Sequence, residues 1–386
     1  MQEQPGAGTA GTAGVAGVAG ADNAFAADLY RVLTDDAGQT VFSPVSVAAA
    51  LGMALCGARG QTAAELASAL HEAPDAAAEG LRATSAAVRD VAADGSATLR
   101  APSMVWVQSG LPLQSAFTGQ LTDAAIARAD FAGQPQAARA EINQAIAEQT
   151  EEKITGLLPA QAISDATRLV LTSAVYLKAA WAEPFPERAT GDAPFYPDGP
   201  DHPSLTVPMM HGAAARAYRQ GDGYQAVVLP YRGGRLAMAV VLPDGPLATL
   251  RPAIAAGGVP GLLAGTSRYQ VTLSMPRFRL EAGFDLIPAL KRLGVQQAFT
   301  RQADFSGITE AERLLIDAVA HKAYVDVDEQ GTEAAAATAV SFRPLAAFRA
   351  PEPVTMTVDR PFAFVIIDTP TGLPLFLGQV RHPQSR

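Results

Sequence analysis

Residues 169 to 177 contain two apolar stretches, Leu169, Val170 and Leu171 followed by Ala174, Val175, Tyr176 and Leu177, with only Thr172 and Ser173 between them. A strand with one wet face alternates polar and apolar residues, so a nearly continuous run belongs to a central strand covered on both faces. The chain must therefore build layers on either side of a sheet.

The remaining patterns divide the chain. Helical spacing dominates the first part. Asn23 is placed to cap a segment in which Phe25, Leu29, Val32 and Leu33 share a face. Ser43 and Pro44 start a second, apolar helix that runs past Ser46 towards Gly57, where proline at a first-turn position sacrifices only an orphan N–H. Thr62 to His71 and Ala77 to Ala92 continue the pattern, residues 98 to 108 read as extended, and Ala138 to Leu158 reads as a long helix carrying Ile142, Ile146, Ile154 and Leu157. Strands dominate from Arg168 onward. Gln225 to Pro230 and Leu236 to Leu242 flank a hairpin signal at Arg232, Gly233 and Gly234. Tyr269 to Met275 alternates, Asp285 to Leu293 is a short helix, and Pro361 to Thr369 with Leu373 to Val380 forms a terminal hairpin. Helices early and strands late, without strict alternation, indicate an α+β fold. No linker interrupts the chain between Asp22 and Pro383, although 386 residues also suit two or three domains.

Composition excludes several functions. With 48% hydrophobic and 17% charged residues the chain buries a large core and is not disordered over most of its length. A net charge of −9, with lysine only at 153, 178, 291 and 322, excludes a non-specific grip on nucleic acid or anionic membrane. Cys56, the single cysteine, permits no internal disulfide and reads as an inert buried thiol within the apolar run Val47 to Cys56. Residues 1–21, rich in Ala-Gly repeats, lack a basic start and a continuous apolar stretch, so they read as a disordered tail and not as an intact signal peptide.

Catalytic chemistry is absent at the level of motif. The histidines at 71, 202, 211, 321 and 382 lack metal-ligand spacing, so no metal or cofactor is expected. There is no nucleophile elbow, phosphate loop or dinucleotide fingerprint. Glu151 and Glu152 read as solvated charges on an exposed helix face. A triad assembled only in space stays open as a third, weaker reading.

One stretch is harder to explain as ordinary structure. Ala323, Val325 and Val327 alternate with Tyr324, Asp326 and Asp328, a strand pattern. It leads into Glu329, Gln330, Gly331, Thr332, Glu333, Ala334, Ala335, Ala336, Ala337 and Thr338, and then into a segment offering Phe342, Arg343, Leu345, Phe348 and Arg349 to solvent. A low-complexity loop accounts for the alanines alone. It does not account for their position between a strand and an exposed apolar segment.

In this stretch, and in ordered segments elsewhere, the chain resembles the serpins. The matching segments include Asn23 to Tyr30, Val41 to Thr62, Leu169 to Trp181, Val207 to Met210, Leu242 to Asp244, Ala303 to Ile308, Ala318 to Ala323 and Phe376 to Val380. The resemblance implies one serpin domain over 22–386, with three β-sheets, about nine helices and an exposed reactive loop. It further implies a suicide inhibitor of serine or cysteine endopeptidases, not an enzyme, that works as a monomer. The protease cleaves the loop, and the acyl-enzyme is trapped when the loop inserts into the main sheet. Loop insertion of this kind is a general example of strand addition. A non-inhibitory serpin acting as a chaperone or binding module is the alternative.

An inserting strand places successive side chains on opposite faces, so Thr332, Ala334, Ala336 and Thr338 form the inward set, all small and uncharged, while Glu333 faces out. About 15 such residues at roughly 3.3 Å each span on the order of 50 Å. Family spacing from Gly331 makes Leu345 the bait and Leu345–Ala346 the scissile bond, which suits chymotrypsin-, elastase- or subtilisin-like partners. Arg343 is a poorer bait because Pro344 follows it, and Arg349 requires an unusually long inserted strand. Ser43, Ser46 and His321 match the polar cluster that controls sheet opening. Ser173 departs from the family's usual asparagine there, so a water or altered geometry is expected. Arg277 and Glu329 match an ion pair at the insertion point, the breach, beside Trp181. The helix at Ala77 to Ala92 carries only Arg82 and Arg89 as basic residues, so heparin-type activation is not expected.

Overall fold

The computed structural model describes residues 9–34, 38–91, 93–121, 125–333 and 353–383. Its helices are α1 (Thr9–Leu33), α2 (Pro44–Gly57), α3 (Gly60–Ala69), α4 (Ala77–Val91), α5 (Ser115–Gln120), α6 (Pro135–Gln149), α7 (Arg251–Leu263) and α8 (Ile287–Arg292). The strands of the first half are β1 (Thr40–Phe42), β2 (Ala97–Arg100), β3 (Ser103–Gln108), β4 (Ala125–Ala129), β5 (Leu169–Ala180) and β6 (Gly191–Phe195). Those of the second half are β7 (Leu205–Gly221), β8 (Tyr224–Pro230), β9 (Leu236–Pro243), β10 (Ser267–Pro276), β11 (Phe278–Asp285), β12 (Ala318–Val327), β13 (Gly331–Thr332), β14 (Pro353–Thr357), β15 (Phe362–Asp368) and β16 (Leu373–Val380).

Central placement of the 169–177 run holds. In β5, Val170, Ala174 and Tyr176 pack with Ile142 and Ile146 of α6, whereas Val175, Leu177 and Ala179 pack against Met238 and Val240 of the other sheet. The main sheet runs β11-β12-β13-β5-β3-β4, and β2 continues the line of β3 along β5. Behind it lies α2, apolar on all sides and buried almost throughout, as an all-round hydrophobic helix must be. Ser43 caps it by accepting a hydrogen bond from the Ser46 backbone N–H, with Pro44 in the first turn. Cys56 on this helix is buried, and burial pushes its thiol up to about 11, so it is an inert thiol.

Several expectations need correction. The expected second and third sheets form one hydrogen-bonded network, β1-β16-β15-β9-β8-β7-β10-β14 with β6 on β7. They share β7, whose 17 residues reach roughly 55 Å, long enough to pair β6 at one end and β8 at the other. Eight α-helices occur among the described residues, in keeping with the expectation of about nine. The helix expected to reach Leu158 stops at Gln149, because the Thr150 hydroxyl donates back to the Ile146 carbonyl and Glu151 and Glu152 turn left-handed. Ile154 and Leu157 are nevertheless buried beside Ile142 and Ile146. The periodicity therefore reported a shared buried face and overstated the helix. Glu151 and Glu152 lie in this turn and not on a helix face.

At the other end, α1 begins at Thr9, so residues 9–21 of the expected disordered tail are helical. Alanine has the highest helix propensity, and extending an existing helix avoids the cost of nucleation. Asn23 consequently lies inside a helix and not at its start; its side-chain amide donates to the Gly372 carbonyl at 3.0 Å.

Candidate loop-insertion site

β5 and β12 are parallel neighbours, paired from Val170 and Ala318 up to Tyr176 and Tyr324. Above that point they part. Gly331 and Thr332 fill the gap as β13, with Thr332 opposite both Val327 and Ala179 and Gly331 opposite Ala180. The first residues of the expected hinge, Gly331 and Thr332, thus already lie in the main sheet.

A tight reversal delivers them there. The Asp328 carboxylate accepts from the backbone N–H groups of Gln330 and Gly331, and the Gly331 carbonyl accepts from the Asp328 N–H. Gly331 has φ +152°, and a Cβ there would lie 2.1 Å from the Ala179 carbonyl oxygen, so only glycine fits against β5. The Thr332 side chain is fully buried, and its hydroxyl shares a 2.6 Å hydrogen bond with that of Tyr231. Tyr231 stacks on Trp181 at 4.4 Å between ring centroids. Trp181 closes the corner, its indole N–H donating to the Asp328 carbonyl and its backbone N–H to the Gln330 carbonyl.

Glu329 lies buried beside this corner. Its carboxylate accepts from the Arg277 guanidinium at 2.7–2.8 Å and from the Thr190 hydroxyl. Burial alone would raise its pKa; the bonds from Arg277 and Thr190 outweigh it and hold the carboxyl below its usual range. The pair is therefore more than an exposed ion pair of roughly 0–1 kcal/mol. Arg277→Ala is expected to cost about 1–3 kcal/mol by leaving a buried carboxylate without its cation, read as a lower urea midpoint. Because the folded pKa is depressed, this contribution is full above the ordinary carboxylate pKa and disappears as pH falls through the folded value.

The residues expected to control sheet opening meet lower down. Ser173 on β5 and His321 on β12 face each other in register, and Ser103 on β3 faces Ser173. The Ser43 backbone N–H donates to His321 Nε2 at 2.9 Å, so the ring proton sits on Nδ1, which meets the Ser173 hydroxyl at 2.8 Å. The Ser43 hydroxyl donates to that of Ser46, and the Ser103 hydroxyl donates to the Ser46 carbonyl. Ser43, Ser46, Ser173 and His321 are all buried. Burial pushes His321 down to about 3, which keeps the imidazole neutral. At Ser173, the position with the unexpected residue, the hydroxyl bonds His321 directly.

Of the predicted hinge, Glu329, Gly331, Thr332 and Glu333 are thus assembled at one seam. Ala334, Ala335, Ala336, Ala337 and Thr338, the bond between Leu345 and Ala346, and Arg343 and Arg349 lie outside the described residues. Sequence reading missed Tyr231, Thr190, Ser103 and Lys153. Each is joined to the site only by long-range packing, and no local pattern marks any of them.

The family model for serpins (serine protease inhibitors) matches residues 20–383. The chain belongs to the serpin family. It is 38% identical over 373 residues to a serpin-like protein of Thermococcus kodakarensis, covering 95% of this chain and 85% of that protein. It is 36% identical over 388 residues to the leukocyte elastase inhibitor of Sus scrofa, covering 94% and 98% respectively. Human thyroxine-binding globulin superposes with a TM-score of 0.83 at 28% identity, over 96% of this chain and all of that one.

Proposed function

We propose that this serpin, one domain over 22–386, is a suicide inhibitor of serine or cysteine endopeptidases, cleaved between Leu345 and Ala346 by a protease of apolar primary specificity. The observation that carries the reading is the gap between β5 and β12, already occupied by Gly331 and Thr332. A sheet whose strands already part for the first two hinge residues can open further along the same seam for the rest. Continued in the same register, an inserting strand sets Ala334 between Val325 and Leu177 and Ala335 between Tyr324 and Tyr176. Small side chains on both faces of that strand remove the steric barrier during a race against deacylation. The relatives that carry the name leukocyte elastase inhibitor support an elastase-like target.

Mixing the protein with trypsin, chymotrypsin, elastase and subtilisin is expected to give a covalent complex that survives denaturing gels with at least one of the last three. The released peptide should begin at Ala346. Cleavage there without a complex would leave a substrate or binding module and overturn the inhibitory reading.

A further inference from the structure

The closed part of the β5–β12 seam ends at Tyr176 and Tyr324, which face each other in register with ring centroids 6.4 Å apart. Both are buried on the α6 side of the sheet. Directly above them, Glu333 donates its backbone N–H to the Asp326 carbonyl, as the next residue of β13 should. It then leaves the strand: its φ is +46°, a left-handed conformation that costs a residue with a Cβ roughly 1–2 kcal/mol. Its side chain lies on the face opposite Thr332, only 11% exposed, with Oε1 bonded to Lys153 Nζ and Oε2 buried without a hydrogen-bond partner. Tyr176 and Tyr324 have raised pKa values, first from burial, then at Tyr176 from the Glu333 charge and a hydrogen bond to Glu333, and at Tyr324 from the Asp326 and Glu333 charges.

Lys153 reaches this point because of the turn that ends α6. Two consecutive left-handed residues, Glu151 and Glu152, bring the chain back, with the Glu152 N–H bonded to the Ala147 carbonyl and the Lys153 N–H to the Thr150 carbonyl. Glu151 is meanwhile held by Arg100. The ammonium is the only cation that the described residues set on the Glu333 carboxylate.

We propose that Lys153 is a positioning residue for loop insertion: by holding Glu333 over the closed Tyr176–Tyr324 seam, it keeps the uncleaved hinge stopped at Gly331 and Thr332. Without the ammonium, a buried carboxylate is left with no counter-charge, and the favourable escape is to water. The hinge then withdraws from between β5 and β12, and two further residues must enter the sheet during the race with deacylation. The inference rests on the loop-insertion reading above, but its first test needs no protease.

Hydrogen–deuterium exchange on the uncleaved full chain provides that test. Lys153→Met should speed exchange in peptides covering Ala179 to Trp181 and Asp326 to Thr332, leave α6 unchanged, and shift Trp181 emission to the red. Lys153→Arg should behave as the parent, and the exchanged pair Lys153→Glu with Glu333→Lys should restore protection. Parental protection in Lys153→Met, or loss of protection equal in the Arg variant, would overturn the proposal. In a second arm with an apolar-specific protease, Lys153→Met should yield more cleaved chain per covalent complex. If the parent forms no complex with any protease, the inhibitory reading falls, and the exchange result still decides the role of Lys153.

Discussion

If the proposed inhibition holds, Thr332→Arg is expected to turn the protein from an inhibitor into a substrate: the loop is still cut, but cleaved chain accumulates and covalent complex is nearly lost. Thr332 is fully buried between β5 and β12, its hydroxyl on Tyr231, with Trp181 packed behind that ring. An arginine there carries a charge into a fully buried site, at a cost of several kcal/mol. Each 1.4 kcal/mol added to the insertion barrier slows it about tenfold, so a penalty of even ~3 kcal/mol slows insertion about a hundredfold. Deacylation then wins. The measurement is the ratio of complex to cleaved chain on denaturing gels at increasing protease. An undiminished yield of complex would show that trapping does not depend on a small, uncharged residue 332 between β5 and β12.

Acid titration should expose the second large effect, at His321. In the unfolded chain this histidine gains a proton below about 6.5, and in the folded chain only near 3. Between those values the unfolded state binds more protons, so the contribution to stability is full above pH 6.5 and is lost as pH falls towards 3, at up to roughly 1.4 kcal/mol per pH unit. Asp22 and Glu72 act in the opposite direction. Burial raises Asp22 to about 7, with help from the Glu72 charge, and burial raises Glu72 to about 6, so both destabilise the fold as pH rises through those values. The difference between parent and His321→Gln isolates the histidine. Glutamine can accept from Ser43 and donate to Ser173 without titrating, so urea midpoints of the variant should fall less steeply between pH 6.5 and 4. Parallel curves would mean that His321 titrates alike in both states.

How much of this was legible beforehand depends on the range of the interaction concerned. The run at 169–177 dictated a strand covered on both faces, because alternation and its absence are properties of a few adjacent residues. Ser43 with Pro44 marked the start of α2 for the same reason. Periodicity misled at Ala138 to Leu158, since Ile154 and Leu157 share the buried side with Ile142 and Ile146 whether or not the backbone between them is helical. At Asn23 a sound capping signal lost to a helix already running from Thr9.

The site divides along the same line. Small alternating side chains at the hinge, a glycine at 331 and the polar residues at 43, 46, 173 and 321 are visible in the sequence because composition and order express them. The depth of hinge entry is not, since it depends on where β5 and β12 separate and on what meets Glu333 there. Lys153 lies 180 positions away from its partner, in a turn whose direction is set by the packing of α6 on the sheet. The sequence by itself determined which positions of the expected hinge carry small, uncharged side chains in alternation, because composition and order express size, charge and parity directly. Only the tertiary structure decided how far the chain enters between β5 and β12, because that depends on a seam closed by Tyr176 and Tyr324 and on a Glu333 carboxylate met by Lys153 on the same, α6-facing side of the sheet.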